Sequence, residues 1–406
     1  MSEGAAARPF TVFLIAGEES GDQLGAGLMR ALRARLGGAV HFLGVGGARM
    51  AAAGLTSLFP MEEISLHGIT AVLGSIPQIL DRIRMTTAAV VAAVPDALVV
   101  IDSPDFNLRV ARRVHREKPG IPIVDYVSPS VWAWRSGRAR KMARFVDRLL
   151  AILPFEPEVH RRLGGPPCIY VGHPLIERLG ELRPAPGERT PVAAGERRTL
   201  IVLPGSRRSE VDRLLQPFGE AVTLIANAMG PLDVILPAAP GVAAGIRERT
   251  AAWKSRPVIV EGEAAKFAAF RKAHAALAAS GTVTLELALA NVPMVVAYRV
   301  DAFFKLIKPY VTARMKGPVK SIVLPNLILA EKAIPEFIDA EGTPERLAGA
   351  LVPLLSDTPE RTRQLDAFRR LSDVMSLSGE TPSGLAASVV LEAVRQKAQR
   401  RLEIGS

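Results

Sequence analysis

The sequence contains little that could hold a metal ion. It has one cysteine in 406 residues, Cys168, which excludes an internal disulfide and a paired-cysteine metal site. The six histidines are scattered, and no two of them lie four residues apart, the spacing of two ligands on one helix face. The Asp-x-Asp triplet that commonly holds a metal on a nucleoside diphosphate is also absent. We therefore predict no metal and no other cofactor, and the lone thiol fits a reducing compartment.

Long apolar runs are missing as well. A membrane-spanning helix needs roughly 18 apolar residues, and the longest candidate, Ala88–Ile101, is interrupted by Pro95 and Asp96. The early run Phe10–Gly17 leads directly into two glutamates, which favours a first strand over a signal peptide. Neither glycine-rich turn in the first fifty residues has G-x-G-x-x-G spacing, so a dinucleotide-dependent oxidoreductase is not indicated.

Positive charge is present in excess, with a formal net charge of +11. A basic surface suits nucleic acid, an anionic membrane or anionic small substrates. No lysine block interleaved with aromatic residues occurs, so we expect no nucleic acid partner. Apolar and basic residues mix in 303–320, a pattern that fits an anionic membrane surface or a solvated amphipathic helix. We expect a protein that touches a membrane surface without crossing it.

The length suits two domains, and strands alternate with helical patterns in both halves of the chain. We predict an N-terminal Rossmann-like domain (1–183), a linker (184–198), a second Rossmann-like domain (199–370) and a helical C-terminal segment (371–406) that packs towards the first domain. Both domains should contain doubly wound parallel sheets, facing each other across a cleft. The predicted strands are 11–16, 40–45, 97–101, 121–127, 148–153, 169–171, 200–203, 233–236, 258–260, 275–279 and 294–296.

The segment after strand 200–203 is the first candidate binding site. Pro204 and Gly205 form a turn, and Ser206 and Arg207 lie between the strand end and a helix beginning near Ser209. Ligands of open α/β sheets bind at such strand ends, and helix amino termini attract anions. A phosphate or pyrophosphate site is one interpretation, and solvated arginines in an ordinary turn are the other.

A second site of this kind follows strand 275–279. Ser280, Gly281 and Thr282 open a helix in whose first turns Glu286 falls. The glycine lets a ligand approach the backbone, the hydroxyls can cap the helix, and the glutamate could accept hydrogen bonds from ribose. Alone, Glu286 is equally explained as a favourable acid near a helix start. Together with Arg207, it indicates a nucleotide site.

In the first half, the turn after strand 11–16 carries Glu18, Ser20 and Asp22. Its acids would repel a phosphate, so sugar hydroxyls are the expected partners, with ordinary loop chemistry as the alternative. Asp102 follows strand 97–101, where a carboxylate can act as a general base. Pro104 fixes a turn that would aim this aspartate into the cleft.

Two apolar features complete the candidate acceptor side. Ser128, Trp132 and Trp134 lie beyond a strand end, where they could stack on a sugar or an acyl chain or cover the core. The stripe that includes Leu66, Val72 and Ile76 has helical spacing and suits a core-facing helix. Because Gly74 and Pro77 would break that helix, a mobile apolar flap is the alternative.

The motifs occur in an order that resembles one family. They are Gly-Glu-Glu-Ser-Gly-Asp (17–22), Ile-Asp-Ser-Pro-Asp-Phe-Asn (101–107), Tyr-Val-Ser-Pro-Ser-Val-Trp-Ala-Trp-Arg (126–135), Leu-Pro-Phe-Glu (153–156), Val-Gly-His-Pro (171–174), Leu-Pro-Gly-Ser-Arg (203–207), Ala-Ser-Gly-Thr (279–282), Pro-Met-Val-Val-Ala-Tyr-Arg (293–299) and Leu-Pro-Asn-Leu (324–327). Over residues 10 to about 395 the set closely resembles the lipid-A-disaccharide synthases, and the tryptophan-containing run is its most specific member.

The resemblance implies a metal-independent, inverting GT-B glycosyltransferase of lipid A biosynthesis. Its substrates would be UDP-2,3-diacylglucosamine and 2,3-diacylglucosamine 1-phosphate (lipid X), and its products the β-1,6 disaccharide 1-phosphate and UDP. The family acts at the cytoplasmic surface of the inner membrane of Gram-negative bacteria, as a peripheral protein. In some members the C-terminal part is exchanged between subunits, which leaves a homodimer open.

The resemblance also implies roles for single residues. Asp102 matches the general base that acts on the acceptor 6-hydroxyl, Arg207 a diphosphate contact, Glu286 a ribose contact, and Asn326 a polar residue beside the nucleotide. One alternative is a GT-B relative such as a UDP-N-acetylglucosamine 2-epimerase, which would need polar, lipid-free sites. Another is a non-enzymatic nucleotide- or lipid-binding protein, which would not need Asp102.

Overall fold

The computed structural model describes residues 8–64, 69–192, 197–299 and 321–405, with only the backbone at 69–76 and 404–405. The chain divides into two compact units. One contains the residues up to Pro174 and those from Leu377 onwards, and the other contains Leu175–Ser376. Each is an α/β unit with its own parallel sheet.

The first unit is built on a parallel sheet with strand order β3-β2-β1-β4-β5-β6-β7. The strands are β1 (Phe10–Ala16), β2 (Val40–Val45), β3 (Thr56–Ser57), β4 (Ala97–Ile101), β5 (Ile123–Tyr126), β6 (Arg148–Ala151) and β7 (Cys168–Tyr170). The helices between them are α1 (Glu19–Arg35), α2 (Ala48–Ala52), α3 (Ile69–Ala93), α4 (Pro104–Glu117), α5 (Gly137–Met142) and α6 (Glu156–Leu163). The order reverses between β1 and β4, and a doubly wound sheet binds ligands at such a switch point.

The second unit repeats this architecture with the order β10-β9-β8-β11-β12-β13, again parallel. Its strands are β8 (Arg198–Leu203), β9 (Leu232–Ala238), β10 (Val258–Glu261), β11 (Ala275–Ala279), β12 (Met294–Tyr298) and β13 (Glu336–Ile338). Its helices are α7 (Leu179–Leu182), α8 (Arg208–Met229), α9 (Pro240–Thr250), α10 (Glu263–Lys272), α11 (Val283–Leu289), α12 (Leu324–Leu329), α13 (Pro344–Leu351) and α14 (Pro359–Met375). Here the order reverses between β8 and β11.

The last helix, α15 (Pro382–Gly405), belongs to the first unit. It packs against α1 and against β4, β5 and β6. Ala386, Val390 and Ala393 are buried in the core shared with α1 and the central strands. The predicted return of the C-terminal helix to the first domain is therefore confirmed.

The segment predicted as the linker is attached to the second unit. The Arg189 guanidinium donates hydrogen bonds to the backbone carbonyls of Phe270, Arg271, Ala290 and Asn291, at N···O distances of 2.6–3.2 Å. These bonds provide partners for carbonyls at the ends of α10 and α11, where regular helical pairing stops. The boundary between units thus lies at Pro174, before 184–198, and the predicted boundary after residue 370 falls inside α14.

One local prediction is wrong in the first unit. Pro77 was expected to break the apolar helix, but α3 runs from Ile69 to Ala93 through both Gly74 and Pro77. Proline removes one helical hydrogen bond and crowds the preceding turn. Pro77 is exposed, so its ring meets solvent, and the rest of the 25-residue helix continues past it.

Within the described residues, no helix is both long enough and apolar enough to cross a lipid bilayer.

Candidate functional site

A pocket of about 510 Å³ opens in the second unit, at the carboxyl ends of β8, β9, β10 and β11. The sequence-predicted residues Ser206, Arg207, Ser280, Gly281 and Thr282 all line it. Both predicted turns therefore contribute to one site, because neighbouring parallel strands end at the same edge of the sheet. The pocket has the size of a small-molecule site.

Arg207 immediately precedes α8, with its side chain 72% exposed. The carboxylate of Glu210, in the first turn, accepts hydrogen bonds from the backbone N–H groups of Ser206 and Arg207, at 3.1 and 3.3 Å. It also pairs with the Arg207 guanidinium at 3.2 Å. The Glu210 carboxylate thus occupies the helix terminus that attracts anions. Residue 205 has to be glycine (φ +117°), because a Cβ at this position would lie 2.5 Å from the Glu210 side chain.

Glu286, on α11, forms an ion pair with Lys266 on α10. The Lys266 ammonium lies 2.7 Å from Oε2 and 3.0 Å from Oε1 of the carboxylate, whose side chain is only 13% exposed. Lys266 lines the pocket and also lies over the Phe267 ring, at 5.1 Å. Glu286 is not a lining residue, so the lysine connects it to the pocket.

The turn after β11 is fixed by its own hydroxyls. Ser280 Oγ donates to the carbonyl of Ile322 at 2.7 Å, and Thr284 Oγ1 donates to the carbonyl of Gly281 at 2.8 Å. Thr282 occupies the cap position of α11, but its side chain makes no capping bond, contrary to the expected role. Nothing lies within 4 Å of where a Gly281 Cβ would be, so the backbone there is open to a ligand.

Asn326 is fully buried and does not line the pocket. Its Nδ2 donates to the carbonyl of Ile334, and its Oδ1 accepts from the Ile334 N–H, each at 2.9 Å. Both ends of the amide are thereby used to hold the segment that connects α12 to β13. In this structure Asn326 supports the loop instead of presenting its amide to a ligand.

In the first unit, Asp102 and Ser20 lie side by side. Ser20 Oγ is 3.3 Å from Asp102 Oδ2, and Asp102 Oδ1 accepts from the Ser103 N–H at 2.8 Å. Asp102 and Ser103 have φ of +56° and +42°, a left-handed conformation that costs free energy in a non-glycine residue. The buried Asn107 amide donates to the Asp102 carbonyl at 2.8 Å and supports this turn.

Asp125 lies on β5, next to the strand that precedes Asp102. It is 2% exposed, and burial raises its pKa well above its usual range, with the nearby Asp102 carboxylate adding to the effect. Burial thus favours the neutral form of the Asp125 carboxyl.

The other acids of the first turn have different positions. Asp22 is 3% exposed, and its carboxylate accepts from the N–H groups of Gly47, Arg49 and Met50 at 2.8–2.9 Å. Because both oxygens are used to cap α2, Asp22 holds the β2–α2 turn and is not presented to a ligand, contrary to the prediction. Glu18 is exposed at the cap position of α1.

The loop after β5 is tied to α6. Ser128 is buried, with its Oγ 2.8 Å from Nε2 of the fully buried His160. The Trp132 ring meets the Phe155 ring edge to face, at 5.5 Å. Beside them, Glu156 accepts from the Leu153 N–H at 3.1 Å, and burial raises its pKa to about 8. Ser128 and Trp132 thus anchor the loop.

Trp134 is the exposed tryptophan of this loop, at 50%, with the Arg135 guanidinium over its ring at 4.3 Å. It is available to a ligand or a surface. Of the apolar stripe, Leu66 lies outside the described residues. Val72 and Ile76 lie in α3, where only the backbone is described, and the segment 303–320 lies outside the description.

Within residues 8–64, 69–192, 197–299 and 321–405, no three His, Cys, Asp or Glu side chains come close enough to form a metal site.

Sequence comparison decides the family. The family model described as Lipid-A-disaccharide synthetase matches residues 12–390. The chain belongs to the lipid-A-disaccharide synthase family. It is similar to the lipid-A-disaccharide synthase of Nitrobacter winogradskyi, with 54% identity over 98% of this chain and all of that protein. The similar synthase of Rhodospirillum centenum is 43% identical over 96% of both chains. The chain is therefore a glycosyltransferase of lipid A biosynthesis.

Structural comparison shows the fold. A putative UDP-N-acetylglucosamine 2-epimerase from Listeria monocytogenes superposes with a TM-score of 0.60 and 16% identity, over 96% of this chain and 97% of the other. MurG of Acinetobacter baumannii gives a TM-score of 0.57 and 14% identity, over 95% and 100%. The GT-B fold is thus confirmed. At such low identity these likenesses carry no chemistry, and the family match does not favour the epimerase alternative.

Sequence reasoning missed three residues of these sites: Glu210, Lys266 and Glu156. Glu210 follows Arg207 by three residues, the spacing of a capping box, so that signal was present. Lys266 and Glu286 are twenty residues apart on different helices, and Glu156 is an acid in the interior. Only the tertiary fold reveals that Lys266 pairs with Glu286 and that Glu156 is buried beside the loop after β5.

Proposed function

We propose that this chain transfers the diacylglucosaminyl group of UDP-2,3-diacylglucosamine to the 6-hydroxyl of 2,3-diacylglucosamine 1-phosphate. The bond between the sugar C1 and the UDP oxygen breaks, and a bond from C1 to the acceptor O6 forms with inversion. The products are UDP and the β-1,6 disaccharide 1-phosphate. The single observation that carries the proposal is that two turns predicted to bind a nucleotide line one pocket in a chain of this family.

In the proposed complex, UDP occupies the pocket of the second unit. Arg207 reaches the diphosphate, since its guanidinium is exposed at the rim of the pocket, where it pairs with Glu210 at 3.2 Å. Glu286, oriented by Lys266, accepts hydrogen bonds from the ribose. Positive charge and backbone N–H groups at this edge stabilise the negative charge that develops on departing UDP.

Asp102 acts as the general base in the same proposal. It takes the proton of the acceptor 6-hydroxyl as O6 attacks C1. Its place at the end of β4, its bond from Ser103 and its contact with Ser20 fix the carboxylate for this task.

The acceptor side and the membrane contact form the finer part of the proposal. Trp134 and Arg135, exposed beside the acceptor turn, would contact the acylated sugar. The enzyme would work as a peripheral protein on the cytoplasmic surface of the inner membrane, where both lipid substrates reside.

The test is a direct assay. Purified protein is incubated with both substrates in detergent and chelator, and disaccharide and UDP are quantified by mass spectrometry. We expect equal amounts of both products. The control is Asp102→Asn, which keeps the shape and removes the base. It should lower turnover by about 10²–10⁴-fold and leave the Kd for UDP unchanged.

Three results would contradict parts of the proposal. Absence of disaccharide with the wild-type chain would overturn the reaction, and conversion of UDP-N-acetylglucosamine to its 2-epimer would support the rival instead. Wild-type turnover of Asp102→Asn would remove Asp102 from the mechanism.

A further inference from the structure

Most of the excess positive charge lies in one tenth of the chain. Residues 104–144 contain ten Lys or Arg and three Asp or Glu, a net charge of +7 out of +11 for the whole sequence. One of the three acids is Asp125, which is buried with a raised pKa. This segment includes α4 and α5, whose cations have no role in the reaction described above.

The two helices present these cations on their outer side. Phe106, Val110 and Val114 of α4 and Met142 of α5 are buried in the same core layer on one face of the sheet, so the opposite sides of both helices face solvent. The exposed cations on these helices and within two residues after them are Arg109, Arg112, Arg116, Lys118, Arg140, Lys141 and Arg144. We call these seven residues the α4–α5 basic face.

Few acids compensate this surface. Asp105, at the start of α4, is held by Arg138 of α5 at 2.6 Å and by Arg135 at 3.5 Å, which joins the two helices and neutralises the acid. Among the described residues, none of the seven cations forms an ion pair with an acidic side chain. Their charge is therefore available to an anionic partner.

Exposed apolar side chains occur on the loop before α5 and on α3. Trp134, half exposed under the Arg135 guanidinium, precedes α5. Met85 is 39% exposed on α3, the helix that packs against α4. A tryptophan with a polar edge and a flexible apolar side chain beside several arginines suits the interface of a bilayer. A duplex nucleic acid would use the arginines and leave these apolar groups without partners.

We infer that the α4–α5 basic face, together with the exposed Trp134 before α5 and Met85 on α3, is the surface by which the first unit binds an anionic phospholipid bilayer. The inference rests on the proposed function, because both substrates would be embedded lipids. The cations attract anionic headgroups, and the apolar side chains enter the interfacial layer. The face would hold the acceptor-side loop near the bilayer that contains the acceptor.

The experiment measures partition of the full chain onto vesicles by sedimentation. One set of vesicles is pure phosphatidylcholine, and the other contains three parts in ten of phosphatidylglycerol. The test variant is Arg109→Glu/Arg112→Glu/Arg116→Glu. A matched control, Lys254→Glu/Arg256→Glu/Lys272→Glu, makes the same change of net charge at exposed positions of the second unit.

We expect the wild type to prefer the anionic vesicles and to lose that preference at high salt. Each basic residue near the surface strengthens binding about fivefold, so the test variant should bind at least about a hundredfold more weakly. The control should bind like the wild type. The neutral variant Arg140→Gln/Lys141→Gln/Arg144→Gln, which makes no repulsive contact, should also bind more weakly.

Equal losses in test and control variants would overturn the inference, as would tight binding to duplex DNA without binding to anionic vesicles. Circular dichroism and turnover on detergent-dispersed substrates should be the same for wild type and test variant, since the basic face does not contact the reacting groups. A wild type that binds vesicles but yields no disaccharide would refute the proposed reaction and leave the membrane surface standing.

Discussion

Ser128 Oγ lies 2.8 Å from Nε2 of His160, inside the first unit. The pair links the loop after β5 to α6. Burial lowers the pKa of His160 to about 4, so the imidazole is neutral at physiological pH. Glu156, one turn earlier on the same helix, is neutral as well, because burial raises its pKa to about 8. The loop that carries Trp134 is therefore anchored by uncharged polar groups.

The first prediction concerns pH and Glu156. Between about pH 4.5 and pH 8, the folded chain keeps a proton on Glu156 that the unfolded chain releases. The stability contributed by this proton is present at low pH and is lost as pH rises through that window, by at most about 1.4 kcal/mol per unit. Glu156→Gln cannot titrate, so its urea midpoint relative to wild type should rise from pH 5 to pH 8. A difference that stays constant with pH would mean that the carboxyl titrates alike in both states.

The second prediction concerns Lys266. Removing it as Lys266→Met leaves the Glu286 carboxylate, only 13% exposed, without its cation. We expect the Kd for UDP to rise about tenfold or more, because a charged hydrogen bond contributes about 1.5–3 kcal/mol. The affinity lost on Lys266→Met should be smaller for 2′,3′-dideoxy-UDP than for UDP, because the dideoxy ligand lacks the ribose hydroxyls. Calorimetry measures both ligands.

The matched control for that experiment is Lys272→Met, an exposed lysine at the end of the same helix. It should leave both affinities unchanged. If Lys266→Met weakened UDP and the dideoxy ligand equally, the ion pair would not act through the ribose.

The third prediction concerns Glu210, whose carboxylate accepts from the N–H groups before α8. Glu210→Gln keeps the side-chain length and one acceptor oxygen but removes the negative charge beside Arg207. UDP should bind several-fold more tightly, because the diphosphate would no longer be opposed by the Glu210 charge at the N-terminus of α8. An anion at such a terminus is stabilised by about 0.3–1 kcal/mol. Calorimetric titration with UDP and with uridine tests this, and uridine should not distinguish the variant. Weaker binding of UDP would show that the carboxylate positions Arg207 for the diphosphate.

The fourth prediction concerns Asn326. In Asn326→Ala, both the N–H and the carbonyl of Ile334 lose their partner in a buried place. Each unsatisfied group costs about 1–3 kcal/mol, so thermal unfolding of the second unit should begin at a clearly lower temperature. A variant with unchanged stability and lost UDP affinity would favour the direct nucleotide contact that the family resemblance implies.

The long buried strands were the most predictable part of the fold. Ala97–Ile101 and Ala275–Ala279 match the predicted ranges residue for residue, because continuous apolar runs mark strands covered on both faces. Val40–Val45 also matches, although it is only partly buried. The strands β3 and β13 were missed. They have two and three residues, too few for a periodic pattern, and their pairing depends on a neighbouring strand.

The site was predictable in its turns and less so in its contacts. Short motifs at strand ends located Ser206 and Ser280, since parallel topology brings such ends together. The same reasoning assigned Asp22 to a ligand, although its carboxylate caps α2. Sequence alone does not show whether a buried acid will meet backbone N–H groups, a lysine or nothing, because that depends on residues far away in the chain.

The position of α15 sets an order for biosynthesis. Its residues complete the core beneath β1 and β4, although they are made after every strand of both sheets. During translation, the second unit has all its strands outside the ribosome while the first unit still lacks α15. The first unit therefore keeps an open apolar face until α15 has left the ribosome, so a nascent chain stalled before residue 382 should depend on chaperones.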